Sequence, residues 1–107
     1  MLQWLKKWFS SSESKPSFAM LIEEGAILID VRTQGEYLSG SANKAINIPL
    51  DQLVAKSGRY SKETPLIVFC RSGMRSQQAK RVLEQLGYQR VYNGGGVGKV
   101  INQLKQQ

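Results

Sequence analysis

The sequence has 107 residues and a mass of 12.0 kDa, which suits one compact domain. Hydrophobic residues make up 41% and charged residues 21% of the chain, and this balance excludes a largely disordered or fibrous protein. Because it contains no histidine and one cysteine, the sequence also excludes the usual Cys/His zinc site, a Ser-His-Asp triad, a Cys-His pair and an internal disulfide.

The net charge of +7 arises from 15 basic and 8 acidic residues and favours anionic partners. The basic residues are scattered, and aromatic residues do not alternate with them. This pattern argues against binding of nucleic acid, so small anions are the favoured partners. The sequence has no run of about 18 apolar residues, which excludes a helix that spans a membrane.

The N-terminal segment differs in composition from the rest of the chain. Residues 1–9 combine apolar side chains and lysines at helical spacing, and serines dominate residues 10–14. Since lysines interrupt the apolar run that a secretion signal needs, we expect a cytoplasmic protein. Packing of residues 1–9 on the domain or on a partner is favoured over contact with a membrane surface. We therefore predict an amphipathic segment and serine-rich linker over residues 1–14, and a folded domain over residues 15–107.

The first half of that domain alternates helical and strand-like segments, as an α/β domain with a parallel sheet does. Pro16 is expected to open a helix that ends at Gly25. The apolar run 26–29 predicts a strand that is buried on both faces. A second strand is predicted over residues 45–48, followed by a short helix around residues 51–56.

In the second half of the domain, the patterns of apolar residues that mark strands and helices are clearer than in the first half. The apolar run 66–69 predicts a central buried strand, and Cys70 follows it directly. Apolar residues at helical spacing predict helices that include residues 79–86 and 97–104. A short strand is predicted over residues 90–92, and the glycines after it are expected to form a turn before the last helix.

The loop after the central strand carries the residues best suited to chemistry. Ligands bind at the carboxyl ends of strands in open α/β sheets, which is where Cys70 lies. A loop that leads into a helix points backbone N–H groups inward, and Gly73 permits the tight curvature. Arg71 and Arg75 add positive charge. These features together predict a lowered pKa and a nucleophilic thiol for Cys70, and favour that role over an inert core cysteine.

Several motifs occur in an order that is known from one family. They are Leu28–Arg32, Glu36–Tyr37, Gly40, Ala45–Pro49, Ile67–Ser76 and Tyr92–Gly96. With these motifs, the sequence resembles a single rhodanese domain of the small type typified by phage-shock protein E. The resemblance covers about residues 17–104. It implies a three-layer α/β domain with a central, mainly parallel sheet flanked by helices.

The resemblance also implies an activity, that of a sulfurtransferase without a metal or other cofactor. In this family a loop cysteine takes sulfane sulfur from a donor such as thiosulfate and passes it, as a persulfide, to cyanide or a thiol. Position by position, Cys70 corresponds to the nucleophile. The residues that correspond to the anion-binding and persulfide-binding loop follow it: Arg71, Ser72, Gly73, Met74 and Arg75. Asp30, Arg32 and Glu36 are expected to support this loop structurally.

Two alternative functions stay open. The loop from Cys70 to Arg75 has six residues, one fewer than in phosphatases that share this fold, so phosphatase-like activity is a minor alternative. The other alternative is a persulfide carrier or regulatory binding module that acts with protein donors and acceptors, a role motivated by residues 1–9. The sequence also departs from the family at Gly40–Ala42, where a Gly-His-Ile stretch is common.

Overall fold

The computed structural model describes residues 15–107, so the predicted amphipathic segment and linker over residues 1–14 lie outside the described residues, and the predicted domain boundary stays a prediction. The helices and strands, in chain order, are α1 (Phe18–Glu23), β1 (Ile27–Asp30), α2 (Gln34–Leu38), β2 (Ile46–Asn47), α3 (Leu53–Lys56), β3 (Leu66–Cys70), α4 (Met74–Gln85), β4 (Val91–Gly96) and α5 (Val97–Lys105). Short 3-10 turns precede and follow α3. Within residues 15–107, no helix combines the length and apolar character needed to cross a bilayer.

The four strands form one parallel sheet in the order β2-β1-β3-β4. All residues of β3 are buried, as the continuous apolar run predicts for a strand covered on both faces. Because the strands are parallel, the carboxyl ends of β1, β2 and β3 reach the same edge of the sheet. Asp30, Asn47 and Cys70 therefore end their strands on one side of the domain.

Side chains that alternate along β3 divide the core into two layers. One layer contains Leu66, Val68 and Cys70, which pack with Leu53 of α3 and with Ala79 and Leu83 of α4, among other residues. The other layer contains Ile67 and Phe69, which pack with Leu21 of α1 and Val100 of α5, among other residues. Helices thus cover both faces of the sheet, and the predicted three-layer α/β fold is confirmed.

Two local predictions need correction at the start of α1 and in β4. Helix α1 begins at Phe18 and not at Pro16, because Ser17 is its N-cap and the Ser17 hydroxyl accepts a hydrogen bond from the N–H of Met20 at 3.1 Å. The glycines predicted to form a turn belong to β4, which continues to Gly96. Glycine has no side chain, so a run of glycines cannot show the alternation of apolar and polar residues that marks a strand. The sequence pattern therefore could not identify this part of β4.

Helix α2 was not predicted, because five residues are too few to show a helical period. A capping box starts this helix. The Thr33 hydroxyl accepts a hydrogen bond from the N–H of Glu36 at 3.2 Å, and the Glu36 carboxylate accepts one from the N–H of Thr33 at 3.1 Å. The spacing of Thr33 and Glu36 was therefore the signal available in the sequence.

The register between β3 and β4 leaves one residue of β4 unpaired. Val68 pairs with Asn93, and Phe69 pairs with Gly95, so Gly94 forms a bulge. A Cβ atom on Gly94 would lie 3.0 Å from Cγ2 of Ile67 and 3.2 Å from Cγ2 of Val100. Glycine at this position therefore lets β4 and α5 pack closely against the centre of the sheet.

We expect Gly94→Ala to lower the free energy of unfolding by about 1–3 kcal/mol, because the added methyl group crowds Ile67 and Val100. Gly98→Ala is the matched control, since a Cβ atom there meets nothing within 4 Å and Gly98 lies within α5. The control should leave stability unchanged or raise it by about 1 kcal/mol at most. Urea denaturation measures the free energy of unfolding of both variants. Equal stability of Gly94→Ala and the wild type would contradict the close packing of β4.

Candidate active site

Cys70 is the last residue of β3, and its side chain is buried at the start of the loop that leads into α4. The backbone of Gly73, directly before α4, has a φ of +104°. This left-handed conformation is costly for residues with a Cβ atom, so glycine allows the chain to turn sharply here. The loop curls around the sulfur, and α4 begins at Met74, earlier than the apolar periodicity alone indicated.

Several donors surround the Cys70 sulfur. The Gly73 N–H donates a hydrogen bond to Sγ at 2.9 Å, and the Ser76 N–H donates one at 3.4 Å. The hydroxyl oxygen of Ser76 also lies 3.4 Å from Sγ. The Ser76 donors belong to the first turn of α4, where unpaired N–H groups and the helix dipole favour a negative charge. The site is thus a small cradle for an anionic sulfur atom.

The pKa of Cys70 reflects two opposing effects. Burial raises the pKa of the thiol, whereas the contact with the Ser76 side chain and the hydrogen bonds from the N–H groups of Ser76, Gly73 and Ser72 lower it by more. The resulting pKa is about 7, compared with an ordinary value of 9.0. About half of the Cys70 side chains are therefore thiolate at neutral pH. The lowered pKa agrees with the sequence prediction, but its main causes are hydrogen bonds and not the charges of the loop arginines.

Arg75 is tied to α2 by a bidentate ion pair. Its guanidinium donates to Glu36 Oε1 at 2.7 Å and to Glu36 Oε2 at 3.0 Å. The hydrogen bonds from Arg75 and then from the Thr33 N–H lower the pKa of Glu36 to about 2, so this carboxylate is ionised at neutral pH. The expected free charge of Arg75 is therefore balanced by Glu36, and the pair joins the start of α4 to α2.

The remaining loop residues present their side chains differently. Arg71 and Ser72 are exposed, and Arg71 has no ion pair within residues 15–107. Met74 is 79% exposed. Of the two loop arginines, Arg71 is thus the one whose charge is not balanced by a carboxylate of the described residues. Within the same part of the chain, His, Cys, Asp and Glu side chains form no group of three or more that could hold a metal ion.

Asp30 and Arg32 form a second, buried ion pair at the end of β1. Arg32 Nη2 donates to Asp30 Oδ2 at 2.7 Å and to the carbonyl oxygen of Gly40 at 2.7 Å. The Ser41 hydroxyl donates to the same Asp30 carboxylate oxygen at 2.7 Å. Of the three residues expected to support the cysteine loop, Glu36 contacts it directly, whereas Asp30 and Arg32 hold the segment around Gly40. Ser41 thus completes this network.

Sequence analysis assigned no individual role to Ser76 or Asn93, although both belong to the site. The available signal for Ser76 was its place in the first turn of the helix after Cys70, where its N–H group has no partner within the helix. Asn93 lies on β4, and its Oδ1 accepts a hydrogen bond from the Ser76 hydroxyl at 2.7 Å. No local signal identified Asn93, because its proximity depends on the pairing of β3 with β4.

We expect Ser76→Ala to raise the pKa of Cys70, because the contact with the Ser76 side chain is the largest of the effects that lower it. The rate of Cys70 alkylation by iodoacetamide should fall severalfold at pH 7 and should recover at a pH where the thiolate is fully formed. Ser72→Ala is the matched control, since Ser72 acts on the sulfur through its backbone N–H. An alkylation profile of Ser76→Ala that overlays the wild-type profile would contradict the role of the hydroxyl.

Comparison with known proteins shows which family this chain is similar to. Residues 14–98 match the model of the family described as the rhodanese-like domain. A sulfurtransferase of Allochromatium vinosum is 36% identical over 75 residues, which cover 69% of this chain and 70% of that protein. The thiosulfate sulfurtransferase PspE of Escherichia coli is 37% identical over 71 residues, which cover 64% of this chain and 68% of that protein.

A solved structure of a rhodanese has the same fold as this chain. The structure described as rhodanese with anions from E. coli superposes with a TM-score of 0.63 and 35% sequence identity. The superposition covers 69% of this chain and 89% of the solved chain. The relatives named as sulfurtransferases support sulfur transfer as the general activity. The resemblance seen in the sequence motifs is confirmed, and the chain belongs to the family of rhodanese-like domains.

Proposed function

We propose that this domain transfers sulfane sulfur from thiosulfate or a persulfide donor to a thiophilic acceptor, cyanide or a thiol, through a persulfide on Cys70. The observation that carries the proposal is the Cys70 sulfur at the end of β3, held by N–H donors and with a pKa of about 7. A thiolate populated at neutral pH is the form that attacks a sulfur electrophile. No histidine is needed to activate it, and the sequence contains none.

The first half of the reaction forms the persulfide. The Cys70 thiolate attacks the outer sulfur of thiosulfate, a new S–S bond forms, and the S–S bond of thiosulfate breaks. Sulfite leaves as a dianion with the electron pair of the broken bond, and the outer sulfur keeps its negative charge as the terminal atom of the persulfide. The N–H groups of the loop, which stabilise the thiolate, are placed to stabilise this sulfur anion as well.

The second half of the reaction returns the enzyme to its starting form. The acceptor, cyanide or a thiolate, attacks the outer sulfur of the persulfide, and the bond between the two sulfurs breaks. The electron pair of that bond returns to Cys70 as the thiolate. Because one product leaves before the acceptor reacts, the two halves form a double-displacement cycle that needs no cofactor.

Arg71 is proposed to attract the anionic donor. It is exposed in the loop and lacks an ion pair among the described residues, whereas Arg75 is engaged by Glu36. A net charge of +7 also favours the approach of a dianion such as thiosulfate. Arg75 contributes mainly by fixing the start of α4, from which Ser76 reaches the sulfur.

We also propose that this domain acts in the cytoplasm. A cytoplasmic location suits an enzyme whose single cysteine must stay reduced to act. Protein donors or acceptors of persulfide are a second candidate, because Met74 of the loop is 79% exposed and offers an apolar contact beside the site. Contact of residues 1–9 with a membrane or a partner stays a prediction.

Intact-protein mass spectrometry tests the persulfide. After incubation with thiosulfate, we expect the wild type to gain one sulfur atom and to lose it when cyanide is added. Cys70→Ser should fold normally and gain no sulfur, because it lacks the nucleophile. A sulfur adduct on Cys70→Ser, or hydrolysis of an aryl phosphate by the wild type without any adduct, would contradict sulfur transfer through Cys70. The second result would favour the phosphatase alternative.

Steady-state kinetics tests the role of Arg71. Arg71→Ala should raise KM for thiosulfate severalfold and weaken the dependence of the rate on ionic strength, with a smaller effect on kcat. Arg81→Ala is the matched control, since it removes the same charge from an exposed position farther along α4. Equal values of KM for the two variants would show that the loop position of Arg71 has no special role.

A further inference from the structure

Asn93 uses the full hydrogen-bonding capacity of its side chain. Oδ1 accepts hydrogen bonds from the Ser76 hydroxyl at 2.7 Å and from the Gly95 N–H at 2.9 Å. Nδ2 donates to the carbonyl oxygen of Gly73 at 3.1 Å and to Oε1 of Gln77 at 3.2 Å. The Gly95 N–H can only donate and the Gly73 carbonyl can only accept, so they fix which way the amide points.

Two of these four partners are the residues that hold the Cys70 sulfur. Gly73 donates its N–H to Sγ at 2.9 Å, and Ser76 donates its N–H at 3.4 Å. The Ser76 hydroxyl oxygen also lies 3.4 Å from Sγ, and its proton is donated to Asn93. Asn93 has no hydrogen bond to the sulfur itself, and it touches the site only through these neighbours. A side chain of β4 thus connects the edge of the sheet to the loop between β3 and α4.

We propose that Asn93 is a positioning residue for the Cys70 nucleophile: by holding the Gly73 carbonyl and the Ser76 hydroxyl, it keeps the N–H groups of both residues directed at the sulfur. Gly73 has the most flexible backbone of any residue, and the Ser76 N–H lies in the first turn of α4, where it has no partner within the helix. Both therefore need an external partner to keep one orientation. The inference rests on the proposed function, because it assigns Asn93 to the machinery of Cys70.

The rate of Cys70 alkylation by iodoacetamide, measured from about pH 5 to about pH 10, tests this role. In the wild type the rate should rise with a midpoint near the Cys70 pKa of about 7. We expect Asn93→Ala to move the midpoint up by about one pH unit, which lowers the rate at pH 7 about fivefold. At the high-pH end, where both proteins are fully thiolate, the rates should agree.

Asn47→Ala is the matched control, because it makes the same chemical change at the end of another strand. The Asn47 amide donates to the carbonyl oxygens of Asp30 at 2.9 Å and Arg32 at 3.0 Å and has no hydrogen bond to the cysteine loop. The control should lower the melting temperature and leave the alkylation midpoint unchanged. Gln77→Ala, which removes the partner of Asn93 outside the sulfur site, should also leave the midpoint unchanged.

A folded Asn93→Ala protein with the wild-type midpoint would overturn the proposal. A lower midpoint would overturn it as well, because Asn93 would then compete with the sulfur for the Ser76 hydroxyl and not position it. Should Asn93→Ala fail to fold, Asn93→Ser provides the test, since its side chain is polar and uncharged but too short to hold both the Gly73 carbonyl and the Ser76 hydroxyl. Its midpoint should rise, and an unchanged midpoint would contradict the proposal. Alkylation requires no sulfur donor, so this result is independent of whether persulfide forms.

Discussion

The hydrogen bond from the Gly73 N–H to the Cys70 sulfur, at 2.9 Å, is the interaction on which the site depends. It forms because β3 ends at Cys70 in the centre of the sheet and because Gly73 adopts a left-handed backbone conformation. That conformation starts α4 at once, and the first turn of the helix then brings Ser76 to the same sulfur. Strand, turn and helix thus combine to make a buried thiol acidic, although burial alone would make it less so.

Charged residues near the loop serve structure as much as chemistry. Arg75 and Glu36 join two helices, while Asp30 and Arg32 form a buried pair whose remaining hydrogen bonds are met by Gly40 and Ser41. A buried pair of this kind is costly to break from one side, because the remaining charge loses its partner in a poorly solvated place. The sulfur anion is therefore stabilised mainly by neutral donors of the backbone and of Ser76, in a frame held by ion pairs.

The parts of the fold that local patterns encode were predictable. The apolar run of β3, the periodicity of α4 and the loop motif identified the central strand, the helix after it and Cys70. Helix α2 was not predicted because five residues are too few to show a helical period of apolar side chains. The end of β4 was not predicted because its glycines have no side chains to form an alternating pattern. The place of Asn93 in the site could not be predicted for a different reason. Its position beside the cysteine loop depends on the register between β3 and β4, which includes a bulge at Gly94. Register depends on contacts between distant segments, which a single sequence does not display.

The all-parallel sheet requires strands that are distant in the sequence to pair during folding. Ile27 pairs with Leu66, and Leu66 pairs with Val91, so each strand of the centre finds its neighbours far along the chain. No two adjacent strands form a hairpin, and long loops must close before any pairing stabilises them. Domains rich in such non-local contacts fold more slowly than helical bundles of similar size. Since β4 is the last of the four strands to be made, a nascent chain completes the sheet around the strand that ends at Cys70 only after β4 has emerged and docked.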